Sequence, residues 1–156
     1  MKKQYKLRLY ISGLFIMIAL IILADFVIPA ETVNEKIIKV EREIENYYNA
    51  GGNSHNTYKV ITNSYKFSVE EDFAKLARGK ENISFGVSMI FNKVNWYTLN
   101  LSNGKSFHSL RIASGFVLPL LFIIAFFVAH RFKKNINTIV LILKVLLIID
   151  IIYLWS

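Results

Sequence analysis

The chain has 156 residues, 54% of them hydrophobic, a formal net charge of +8 and no cysteine. The missing cysteines exclude disulfides and thiolate metal sites, so any folded part outside a membrane must be held by its apolar core. The positive charge does not read as a nucleic-acid footprint, because it gathers beside apolar runs: residues 31–111 hold eleven basic and nine acidic side chains, and the excess lies elsewhere.

Lys2, Lys3, Lys6 and Arg8 crowd residues 1–8, which read as a cytoplasmic tail. The first apolar run follows, and residues 9–30 are assigned to a membrane-spanning helix, since about 20 apolar residues suffice to cross a bilayer. A basic start before an apolar run can also be an export signal. Residues 9–24 are uncharged for sixteen positions, longer than the roughly 7–15 of a signal core, so an uncleaved anchor is favoured.

Residues 31–109 form the one segment with room for a small extramembrane domain, and the sequence places it outside the cytoplasm. Ile38, Val40, Ile44 and Tyr48 alternate as a first strand, Ala50, Gly51, Gly52 and Asn53 make a turn, and the β-branched and aromatic residues 58–62 supply a hairpin partner. A competing reading makes this first segment a helix, because Val33, Ile37, Val40, Ile44 and Tyr47 also fit a 3.6-residue period behind Thr32 and Glu35. Tyr65, Phe67 and Val69 alternate as a third strand. Ser68 and Glu71 read as a capping box that opens a short helix, with Phe73 and Leu76 on one face and Gly79 as its stop. Ile83, Phe85, Val87 and Met89 form a period-two stripe, and the chain returns from Val94 after Asn92 and Lys93. Three strands, a helix and two strands predict a five-stranded OB-like barrel. Tyr58, Tyr65, Trp96 and Tyr97 could stack on a ligand, but in so small a domain they read as core and cross-strand packing.

Residues 110–130 are the second predicted span, where Ser114, Gly115 and Pro119 point to a kink or a close helix contact. Residues 131–137 are a basic cytoplasmic loop carrying Arg131, Lys133 and Lys134, and residues 138–156 are a third span that leaves the carboxyl terminus outside. The two basic clusters and the apolar surface make the lipid bilayer the first expected partner.

Ionisable groups inside spans are where function is sought first. Asp25 and Asp150 fall at similar distances from the outer ends of their spans and form the candidate intramembrane polar pair. Lys144 is expected to extend toward cytoplasmic headgroups. Six helical residues separate it from Asp150 by a rotation of about 240°, which takes the two off a common face. His55, His108 and His130 lack metal-ligand spacing, and no glycine-rich phosphate loop or nucleophile elbow is present, so no catalytic residue, metal or cofactor is expected.

The layout resembles that of small bacterial membrane proteins with a β-barrel insert between spans, on the strength of residues 58–62, Phe67, Phe73, Gly79, Ile83 and Ile90. It is also loosely similar to NfeD-type proteins, which join membrane spans to an OB domain and work with scaffold partners. The lack of catalytic motifs and a compact domain tethered at both ends point to a non-enzymatic accessory or assembly protein, contacting another envelope protein or a copy of itself. A small transport or channel component using Asp25 and Asp150 is the second reading, and a membrane immunity or defence protein the third.

Overall fold

The computed structural model describes residues 2–46, 54–77, 81–99, 104–132 and 137–156. The chain divides into a helical unit, built from Met1–Ile28, Met89–Phe91 and Leu110–Ser156, and a β-rich unit, built from Pro29–Ser88 and Asn92–Ser109.

In the helical unit, α1 (Lys2–Val27) runs back through the basic tail to Lys2, further than the expected span. A second continuous apolar helix, Ser109–Phe132, comprises α3 (Ser109–Ile112), a π-helical turn (Ala113–Val117) and α4 (Leu118–Phe132). The last helix is α5 (Asn137–Trp155). These are three helices long and apolar enough to cross a membrane. Their cores meet through Ala19, Ile22, Phe122, Val140, Leu147 and Leu154, while most of their large apolar side chains point outward, as lipid-facing surfaces do. The π-turn has a local cause. Pro119 has no N–H to give the carbonyl four residues back, and its ring crowds that turn, so the helix widens where Gly115 stands. A Cβ on Gly115 would come within 2.5 Å of Phe26 Cδ2, which shows how closely α1 approaches there.

The β-rich unit has six strands: β1 (Pro29–Lys36), β2 (Lys39–Asn46), β3 (Ser54–Ile61), β4 (Lys66–Val69), β5 (Asn82–Ser88) and β6 (Val94–Leu99), with α2 (Glu71–Leu76) between β4 and β5. They pair into two three-stranded antiparallel sheets, β1-β5-β6 and β2-β3-β4. Where the sequence reading expected five strands, six form, in these two antiparallel sheets. The expected first strand is divided at Ile37 and Ile38, whose amides donate to Glu81 O and to Ile61 O, so one residue joins each sheet. The helical alternative for this segment is not what forms, since residues 29–36 and 39–46 are strands.

Each sheet follows a period of two. In the second, Val40, Val60 and Phe67 are aligned on the inner face. Glu41, Lys59 and Lys66 face outward, where Lys59–Glu43 at 2.6 Å and Lys66–Glu41 at 3.0 Å are solvent-exposed ion pairs, each worth about 0–1 kcal/mol. In the first sheet, Ile83 and Phe85 are fully buried opposite Leu99 and Tyr97. Phe85 and Tyr97 are the centre of the core: Phe67 packs on both, Tyr65 meets Phe85 edge-on, and Phe73 of α2 lies 4.5 Å from Tyr97. Tyr65 and Tyr97 are therefore packing residues. On the far edge of β6, Ser106 exchanges both backbone hydrogen bonds with Tyr97 and occupies that stretch of the strand.

Two local expectations shift. The cap of α2 is Glu70, not Ser68, which sits inside β4, and the Glu70 side chain makes no capping hydrogen bond. Met89 is not part of the buried stripe; β5 ends at Ser88 and Met89 is 71% exposed. The turn residues 50–53 and Gly79 lie outside the described residues.

Candidate functional site

The polar residues of the helical unit converge at one end of the bundle. Asp25 lies near the end of α1, in a helix otherwise uncharged from Tyr10 onward. Its Oδ2 accepts from Arg111 Nη2 at 3.1 Å, and the two side chains are 0% and 5% exposed. Its Oδ1 accepts the amide N–H of Ile90 at 2.7 Å and that of Phe91 at 3.4 Å. One carboxylate thus holds a guanidinium from the second apolar helix and a short non-helical segment, Met89–Phe91. Arg111 also lies over the Phe26 ring, 5.5 Å from its centroid, and Ser114 Oγ donates to the Arg111 carbonyl.

Asp150 of α5 is buried within electrostatic range of the same guanidinium, and the exposed Tyr153, one turn on, also lies within that range. Asp150 Oδ2 has no hydrogen-bond partner among the described residues. Both carboxylates singled out in the sequence lie within electrostatic range of Arg111, a residue inside the second predicted span that was not singled out there. The signal for Arg111 was an arginine one turn into an apolar helix, where an unpaired cation is costly. A buried pair of this kind fixes which helix faces meet. Removing one partner alone is destabilising because the other charge is left without compensation.

Lys144 does not join this cluster. Its Nζ donates to Ser12 Oγ at 2.9 Å and lies 5.5 Å from the Phe15 ring centroid, so it turns toward α1. Ser12 and Phe15 lie about three to four turns before Asp25 on α1, so Lys144 meets that helix well away from the Asp25 end. Of the basic clusters, Arg131 is exposed at the end of α4 and Lys133 and Lys134 lie outside the described residues. Lys2, Lys3, Lys6 and Arg8 fall on the first turns of α1.

In the β-rich unit, an open groove of about 500 Å³ is lined by Val40, Tyr58, Ala74 and Ala77, with Lys39, Arg42 and Lys75 around it and Ile38 exposed at its side. Tyr97 Oη accepts the Glu70 amide N–H at 2.9 Å, and burial pushes the phenol up to about 12. Burial likewise holds the His108 imidazole below its ordinary value, with Glu70 opposing. No group of three histidine or acidic side chains arranged to hold a metal ion occurs among the described residues.

These features define an α-helical protein with three candidate membrane spans and a small two-sheet β unit inserted after the first. No family model, no curated protein and no solved structure matches the chain.

Proposed function

We propose that the chain is an integral protein of the inner, cytoplasmic membrane, with its amino terminus and residues 131–137 inside and residues 31–109 outside, acting as a non-enzymatic accessory or assembly subunit. Its β-rich unit would meet another envelope protein. The orientation is supported by helix order: Asp25 pairs with Arg111 and Phe15 packs on Phe122, so the start of α1 and the end of α4 share one end of the bundle. The basic first turns of α1 and Arg131 at the end of α4 belong to that end, and lysine and arginine are retained on the cytoplasmic side during insertion. In the β-rich unit, β1 pairs with β5 while its continuation β2 pairs with β3, and α2 separates the β3–β4 and β5–β6 hairpins. We read this as a partly open OB-like barrel with a bent first strand.

The observation that carries the interaction reading is the groove beside α2, because its apolar floor and the 60% exposed Ile38 and 67% exposed Leu76 form an open apolar surface on an otherwise charged sheet. Affinity capture from membranes in mild detergent should recover a stable envelope partner, and Ile38→Asp should lose it while leaving the protein in the membrane. Recovery of no stable partner by the unaltered chain would sink the proposal.

A second reading, a small transport component, draws on the buried and unpartnered Oδ2 of Asp150. It requires an ion flux in proteoliposomes that Asp150→Asn abolishes. Absence of flux, or flux indifferent to the substitution, removes it.

A further inference from the structure

The connection between β5 and β6 has the wrong composition for a turn in water. Such turns are ordinarily built from Gly, Asn, Asp or Ser, whereas here Met89, Ile90 and Phe91 precede Asn92, whose positive φ of 54° closes the turn. Met89 and Ile90 are 71% and 52% exposed. Phe91 packs with the core of the helices and meets the Trp155 ring edge-on at 6.4 Å.

Several amides of this segment are bonded from within the protein. The Ile90 and Phe91 amides donate to the buried Asp25 carboxylate. Ser88 N donates to Lys93 O, and Lys93 N donates to Ser88 Oγ. A turn in water needs no buried carboxylate for its amides, because solvent serves them. Non-helical backbone at membrane depth survives only when the protein supplies every partner. Apolar side chains facing outward around an internally bonded backbone therefore match hydrocarbon surroundings.

Depth and continuity agree. Asp25 lies two residues before the end of α1, about 3 Å along the helix axis, so the turn sits level with the last turn of an apolar helix. Within the same unit, Val27, Leu110 and Trp155 also present exposed apolar surface. Lys93, just beyond the tip, has a side chain long enough to reach headgroups.

We propose that Met89 and Ile90 insert into the boundary between headgroups and acyl chains, making the β5–β6 turn a fourth membrane contact beside the three helices. The inference rests on those helices crossing a bilayer. The absence of cysteine allows a direct test in the full chain. Met89→Cys and Ile90→Cys are labelled with a nitroxide and reconstituted in phosphatidylcholine–phosphatidylglycerol vesicles, with Leu121→Cys in α4 and Lys66→Cys in β4 as references. Relaxation by oxygen, which partitions into lipid, is compared with relaxation by a water-soluble nickel chelate.

Labels at 89 and 90 should respond to oxygen more than to the chelate, as at 121, with the reverse at 66. If 89 and 90 behave like 66 while 121 reads lipid, the turn is in water and the inference falls, although the spans stand. If 121 also reads water, the spans and the turn fall together. Shielding of 89 and 90 from both reagents would mean that protein covers the tip, and would overturn a lipid occupant.

Discussion

Arg111 Nη2 and Asp25 Oδ2 lie 3.1 Å apart across 86 residues of sequence, both nearly excluded from solvent. The pair joins the end of α1 to the start of the second apolar helix, and Asp25 also holds the amides of the β5–β6 turn. Because both groups are desolvated, their attraction is weakly screened, and neither charge is tolerable there alone.

Arg111→Met should therefore destabilise the helical unit by about 3–5 kcal/mol, leaving a buried carboxylate uncompensated. Asp25→Asn strands the guanidinium in turn but keeps an acceptor for the Ile90 amide. The double variant should lose less than the sum of the single losses, measured by unfolding in mixed micelles. Strict additivity would show that the two groups do not act as a pair.

Gly115 is set against Phe26 closely enough that a methyl group has no room. Gly115→Ala should cost about 1–3 kcal/mol through overpacking. Adding Phe26→Ala should recover part of that loss, because it removes the clashing ring. A full loss retained in the double variant would point to the π-turn backbone as the sensitive element instead.

Tyr97 predicts a pH dependence. Burial raises its phenol to about 12 from an ordinary 10, so the fold retains the neutral form. Below pH 10 the folded and unfolded rings are both protonated and stability is intact. As pH climbs from 10 toward 12, the unfolded chain ionises first and stability falls. Tyr97→Phe should flatten that alkaline limb. At neutral pH it should cost about 1–3 kcal/mol, because the Glu70 amide loses its acceptor. Unfolding curves of both proteins across this range check both effects.

Glu41 gives the opposite sign. Hydrogen bonds from Lys39 and Lys66 hold its carboxyl below the usual value, so its small contribution is present above the ordinary carboxylate pKa and is lost as pH falls. Glu41→Gln should soften the acid limb and leave neutral stability nearly unchanged, since both partners are exposed. Identical acid limbs for the two proteins would show that the pairs are not maintained in solution.

The three apolar helices could be read directly from the chain, because length and hydropathy are local properties and each run carries its own signal. The alternation in β3 to β6 was legible for the same reason: Val60, Phe67, Phe85 and Tyr97 each sit at the inward phase of a strand. The break at Ile37 and Ile38 was not. A run that satisfies both periods becomes two strands only when Glu81 O and Ile61 O, from different sheets, take adjacent amides. The polar cluster divides in the same way. Asp25 and Asp150 stood out because charge in an apolar run is conspicuous in one dimension, whereas Arg111, at the very edge of its run, did not. Only the packing of helices distant in sequence turned it inward, where a buried carboxylate needs an opposite charge, and gave the Met89–Phe91 turn its bonds to Asp25. Ion pairs and turn amides are satisfied by whatever the fold brings near, and that proximity is written in no single stretch of sequence.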